Sequence, residues 1–110
     1  MMIIKVKIYD YTWSIRFLKP ELMRENEYGT CWTIKRAIDI DDSLTYEEAR
    51  LILGHELAHA FVAVAGKLHK NDFSEEEVCD FIAWNMDAII RIRDKILAEK
   101  FQIKSNKNHK

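Results

Sequence analysis

His55 and His59 stand four residues apart in the stretch LGHELAHAF, residues 53–61, with Glu56 directly after the first. On a helix, side chains at i and i+4 lie one turn above each other, about 40° apart around the axis. Two neutral imidazoles so placed can meet one metal ion. Glu56 cannot point along the same line, yet it can reach a water at that ion. Two nitrogen ligands and a general base are the working parts of metal-assisted hydrolysis. The five letters alone do not separate this from two histidines that happen to sit on a helix in a hydrogen-bonded structural cluster. The rest of the chain must therefore supply a helix at this place, a third ligand and a cleft.

The helix is legible. In DDSLTYEEARLILGHELAHAFVAVAG, Thr45 and Glu48 have capping-box spacing, so Thr45 is the expected N-cap, and Gly66 suits a left-handed C-terminal cap. Gly54 inside a helix costs about 1 kcal/mol against alanine, so a close-packing reason is expected there. From Leu51 to Val64 the helix is apolar over most of its circumference, which predicts burial. Buried, His55, Glu56 and His59 would be three polar groups needing partners, at about 1–3 kcal/mol each if left without one. A metal site or a polar cleft explains all three together.

Residues 3–9 and 11–18 are rich in β-branched and aromatic residues and alternate in parts, suggesting two strands or one long bent strand. Residues 19–29 are polar and hold the only proline, so a loop with room for one helical turn is expected. Residues 31–40 (CWTIKRAIDI) alternate again and read as a third strand with one irregularity. A second capping box, Ser74 with Glu77, opens a long helix ending near Lys100. The plan is β-β-β-α-α. The fold class is α+β, a small antiparallel sheet packed on the HELAH helix and a second long helix, in one domain over residues 1–100 with a polar, basic tail at 101–110.

The third ligand is sought on that second helix. With Glu76 at 0° on a helical wheel, Asp80 falls near 40°, and Cys79, Met86 and Ile90 fall at about 280–320°, taken as the inward face. Glu76 and Asp80 then stand on its rim. Glu76 is the preferred ligand, and Asp80 is placed to orient one histidine through its other ring nitrogen. Glu75, at about 260°, remains the rival, and Glu77 is assigned to the cap.

HELAH at 55–59 followed by EEVCDFIA at 76–83 resembles the ImmA/IrrE-type metallopeptidases and small gluzincins. Their second helix carries Glu-x-x-small-Asn/Asp-x-apolar-Ala, matched here by Glu76, Cys79, Asp80, Ile82 and Ala83. Cys79 and Ile82 replace the usual alanine and phenylalanine. Sliding the frame by one aligns Phe81 and makes Glu75 the ligand, but puts Cys79 where Asn or Asp belongs. The resemblance spans residues 30–90 at most. It implies a minimal zincin-like fold with zinc held by His55, His59 and Glu76, and Glu56 as catalytic base. It further implies a strand before the active helix, fitted by residues 31–40, whose edge pairs with an extended peptide or protein substrate. Members are often encoded by phages and mobile elements and cleave a repressor or other regulatory protein. In some short members the chain's own tail blocks the cleft, a role open to FQIKSNKNHK.

Composition sets the bounds. The 110 residues are 48% hydrophobic and 32% charged, an ordinary globular balance. A net charge of −1 gives no whole-chain case for nucleic acid, and Lys104 to Lys110 reads as a solvated tail. The opening MMIIKVKIYDY alternates, unlike a signal segment, and no apolar run is long enough to span a membrane, so a cytoplasmic protein without membrane contact is expected. Cys31 and Cys79 are expected as two buried free thiols. Tyr46 and His69 qualify only by type as oxyanion donors, with His69 read as an exposed loop residue. Trp13, Trp32 and Trp84 are assigned to packing. Two rival readings stand: a non-catalytic phage or mobile-element interaction protein on the same scaffold, and a metal-free helical hairpin on a sheet. Glu56 favours the peptidase, because a structural metal site needs no base.

Overall fold

The computed structural model describes residues 1–65 and 74–102. Strands β1 (Met2–Ile8) and β2 (Tyr11–Leu18) form an antiparallel hairpin in which Ile8 pairs with Tyr11. Tyr9 in its two-residue turn takes φ 53°, a left-handed conformation that costs a non-glycine residue on the order of 1 kcal/mol. Its side chain is used: the Tyr9 hydroxyl donates to Asn85 Oδ1, and its ring lies 5.7 Å from that of Phe61. Pro20–Leu22 makes a single 3₁₀ turn in the expected loop.

The segment expected as one strand over residues 31–40 is instead a hairpin. β3 (Gly29–Trp32) and β4 (Ala37–Asp41) pair antiparallel, Trp32 opposite Ala37, across a turn in which Arg36 takes φ 55°. Ile34, which looked like part of the alternation, sits in that turn and is 97% exposed. The sheet order is β1-β2-β4-β3, with β2 and β4 parallel, so the sheet is mixed rather than antiparallel throughout.

Ile4, Val6, Ile8, Trp13, Ile15, Phe17, Ile38 and Ile40 come from alternate strand positions and share one buried face. Against it pack α1 (Tyr46–Val64), through Leu53, Leu57, Ala60 and Phe61, and the far end of α2 (Glu75–Phe101), through Ile96 and Leu97. The fold is α+β with the sheet packed on two helices, as expected. Both capping boxes form: Thr45 Oγ1 accepts from Glu48 N–H, and Ser74 Oγ accepts from Glu77 N–H. α2 ends in a left-handed cap at Gln102. Gly66, the expected cap of α1, lies outside the described residues, as do His69 and residues 103–110 of the tail.

Three packing expectations are corrected. α1 is buried along one side only: Leu51 is 74% exposed, and His55 and His59 are also exposed. Cys79 is an exposed thiol, and Cys31 is half-buried. A Cβ on Gly54 would meet only Arg93 Cδ, at 3.8 Å, so no close approach requires that glycine.

Candidate functional site

The α1 register carries His55 and His59 to the same side, one turn apart. Their Nε2 atoms face each other at 3.2 Å, with the rings nearly perpendicular, at 81°. Two ligands at 2.0–2.1 Å from one tetrahedral zinc ion stand about 3.3 Å apart, so the pair has the spacing of a shared ion. Without an ion, the same geometry is an N–H···N hydrogen bond.

Glu56 turns inward, and only 8% of it is exposed. Burial pushes its carboxyl above the ordinary 4.5; the two histidines pull it down and Glu27 pushes it up, but burial is the largest of these effects. Glu56 packs against Gly29 so closely that a Cβ there would lie 3.0 Å from Glu56 Cγ and 2.6 Å from Ile52 Cγ2. The glycine at which two elements meet is therefore Gly29, on β3, and not Gly54.

Glu56 and His59 open into a cleft of about 370 Å³ whose opposite wall comes from β3 and the segment before it. Glu27 stands in that wall, accepting a 2.6 Å hydrogen bond from Thr30 Oγ1. Cys31 lies there too, its thiol pushed up to about 12 by burial and then by Glu56, which keeps it protonated. Neither Glu27 nor Cys31 was assigned a site role from sequence. Their position depends on the β3–β4 pairing, which has no local signature.

β3 is an edge strand. Asp41 N–H donates to Tyr28 C=O at 3.0 Å, which fixes the alternation of the ladder. Thr30 and Trp32 then direct their backbone groups at β4, while Gly29 and Cys31 direct theirs at the open edge. Trp32 is itself held in place by donating from Nε1 to Asp39, whose carboxylate is also gripped by Arg16.

The structure does not bring the expected third ligand to the histidines. Glu75, Glu76, Cys79 and Asp80 are exposed, while the buried or half-buried line of α2 runs through Glu77, Phe81, Asn85, Ala88, Ile92 and Ile96. Met86 (48% exposed) and Ile90 (40%), expected inward, are largely outside. Relative to Glu76 the buried line centres about 160° around the helix. Among the described residues, no three histidine, cysteine or acidic side chains gather at metal-binding distance. His55, His59 and Glu56 form the assembled part of the site. Tyr46 packs edge-on against Phe101, 5.5 Å between centroids, at the N-terminal end of α1. Trp13 is core, Trp32 is part-buried at the sheet edge, and Trp84 is 83% exposed. No protein-family model, curated protein or solved structure matches the chain.

Proposed function

We propose that this protein is a zinc-dependent peptidase of the ImmA/IrrE-like type. The observation that supports it best is the facing pair of Nε2 atoms on His55 and His59, beside a buried Glu56 in a cleft walled by an edge strand. His55 and His59 would hold the ion. The resemblance implies Glu76 as third ligand and Asp80 as the residue that orients a histidine, but both are exposed and turned from the packed side of α2, so among the described residues the assembled donors are the two histidines. Zinc, when bound, supplies Lewis acidity toward a peptide carbonyl and toward the attacking water. Glu56 takes the proton of that water and hands it to the leaving amine. Its buried position excludes bulk water from the carboxylate. Gly29 and Cys31 offer backbone donors and acceptors to an extended substrate segment laid along β3. A regulatory protein, phage-borne or cellular, is the substrate class that the resemblance suggests.

Elemental analysis of protein purified without chelator tests this directly. About one zinc per chain is expected, lost in His59→Ala and weakened in Glu76→Gln. Metal retained in Glu76→Gln but lost in Glu75→Gln would move the third ligand by one residue. No zinc, and no uptake on addition, would sink the peptidase reading. The exposure of Glu76 and the direct approach of the two imidazoles favour the metal-free reading, in which His55 and His59 are hydrogen-bonded. The other rival keeps the site as a structural one on an interaction protein. Tight partner binding with no cleavage by the wild type would establish that rival.

A further inference from the structure

Away from the histidines, α2 and the free edge of β1 enclose a second recess, of about 530 Å³. Four cations line it: Lys5 and Lys7, two apart on β1, and Arg91 and Lys95, four apart on α2. None of them forms an ion pair with another described residue. An overall charge of −1 conceals this local excess. Lysines on an edge strand discourage strand addition, which accounts for Lys5 and Lys7 alone. It does not account for two further cations brought to the same recess by the facing helix.

A neighbouring recess of about 470 Å³ shares Lys7, Arg91 and Ile92 with the first and is lined beyond them by Tyr9 and Trp84. Trp84, Arg91 and Lys95 fall at i, i+7 and i+11 on α2, one face of the helix. Along the axis, Arg91 stands about 10 Å from Trp84 and Lys95 about 16 Å from it. Trp84 is 83% exposed and Tyr9 53%. Cations at one end and an exposed indole at the other suit a chain of phosphates that carries planar rings. Asp87, one turn before Arg91, and Glu77 and Asp80, which line a recess beside Trp84, are the acidic groups such a chain must pass. An acidic peptide would use the cations but would meet the indole only where it carries an aromatic side chain, whereas every nucleotide carries a planar ring. A membrane surface would meet cations on a protruding face, not in a recess.

We propose that this groove binds single-stranded nucleic acid, with Lys5, Lys7, Arg91 and Lys95 contacting phosphates and Trp84 stacking on a base. The site is separate from the HELAH cleft and does not depend on the peptidase reading.

Tryptophan fluorescence titrated with a mixed-sequence single-stranded oligonucleotide of about ten nucleotides tests it, since a site of this kind spans about 4–16 nucleotides. Quenching is expected, and it should be absent in Trp84→Phe, because Trp13 is buried and Trp32 is part-buried. Four phosphate contacts on a single strand predict affinity falling with salt at a log–log slope of about −2.8, or about fifty-fold weaker between 50 and 200 mM. The double variant Arg91→Glu/Lys95→Glu, both exposed positions, should bind at least tenfold more weakly with an unchanged circular dichroism spectrum. No binding at 50 mM salt would overturn the proposal. So would equal affinity for inorganic polyphosphate with Trp84 unquenched, which would reduce the groove to a general anion patch. Quenching by a free mononucleotide as strong as by the oligonucleotide would replace the polymer with a nucleotide ligand.

Discussion

Glu56 is held where its ionised form is least comfortable, and that has a measurable sign. A carboxyl whose pKa in the folded protein is raised above the ordinary 4.5 binds its proton more tightly there than in the unfolded chain. The metal-free protein therefore loses stability as pH rises from about 4.5 through the folded value, and stays lower above it. Glu56→Gln should unfold at higher urea than the wild type at pH 7, with the advantage gone at pH 4; under the proposed peptidase function the same change should abolish cleavage. Equal midpoints at pH 7 would mean that burial imposes no penalty. Cys31 gives a second residue-level test. With its thiol pushed up to about 12, it should resist iodoacetamide at pH 8 while exposed Cys79 labels readily, as read by mass spectrometry. The pairing of His55 with His59 was legible because it depends on four residues of helix and nothing else. Glu27 and Cys31 were not, because only the tertiary placement of β3 brings them to Glu56.

At the scale of elements, the helix caps are legible in the sequence, whereas the turn within residues 31–40 and the phase of α2 are not. Both capping boxes and the end of α2 are set by residues within one turn of each other, while residues 3–18, legible as two strands or one bent strand, are resolved by the structure as a hairpin. The inward face of α2 was misassigned because apolar residues occur on both sides of it: Val78, Ile82, Met86 and Ile90 are exposed, while Phe81, Ala88 and Ile92 pack. The β3–β4 turn is not legible in the sequence because TIKR contains no glycine or asparagine, and Arg36 takes the left-handed position instead. The two interior glycines separate these effects experimentally. Gly54→Ala should stabilise the protein by about 0.5–1 kcal/mol, since the helix gains propensity and the methyl meets only Arg93 at van der Waals distance. Gly29→Ala should destabilise by about 1–3 kcal/mol through overpacking on Ile52, and should also displace Glu56. Denaturant midpoints of the two variants, measured together, decide both; a tolerated Gly29→Ala would mean that β3 is not held against α1.

At the scale of the molecule, the sheet is tied to both helices at one corner. Tyr9 in the β1–β2 turn reaches Asn85 of α2 and Phe61 of α1, and Asn85 donates its amide to Phe81 C=O at 2.9 Å. Tyr9→Phe keeps the ring contact and strands a buried amide oxygen, so a loss of about 1–3 kcal/mol is expected by chemical denaturation. A smaller loss would show that Asn85 finds water. Such long-range ties, 76 residues apart, leave no trace in a local pattern. The parallel pairing of β2 with β4 is of the same kind, and it bears on the order in which the molecule assembles. The β1–β2 hairpin closes a two-residue turn, whereas Ser14 meets Ala37 only after the intervening chain has folded back. The half of the sheet that carries the cleft should therefore join late in folding and open first. Native-state hydrogen exchange should find the β3 amides opening at lower free energy than those of β1 and β2. The strand edge that would receive a substrate is then also the edge that frays while the rest of the protein stays folded.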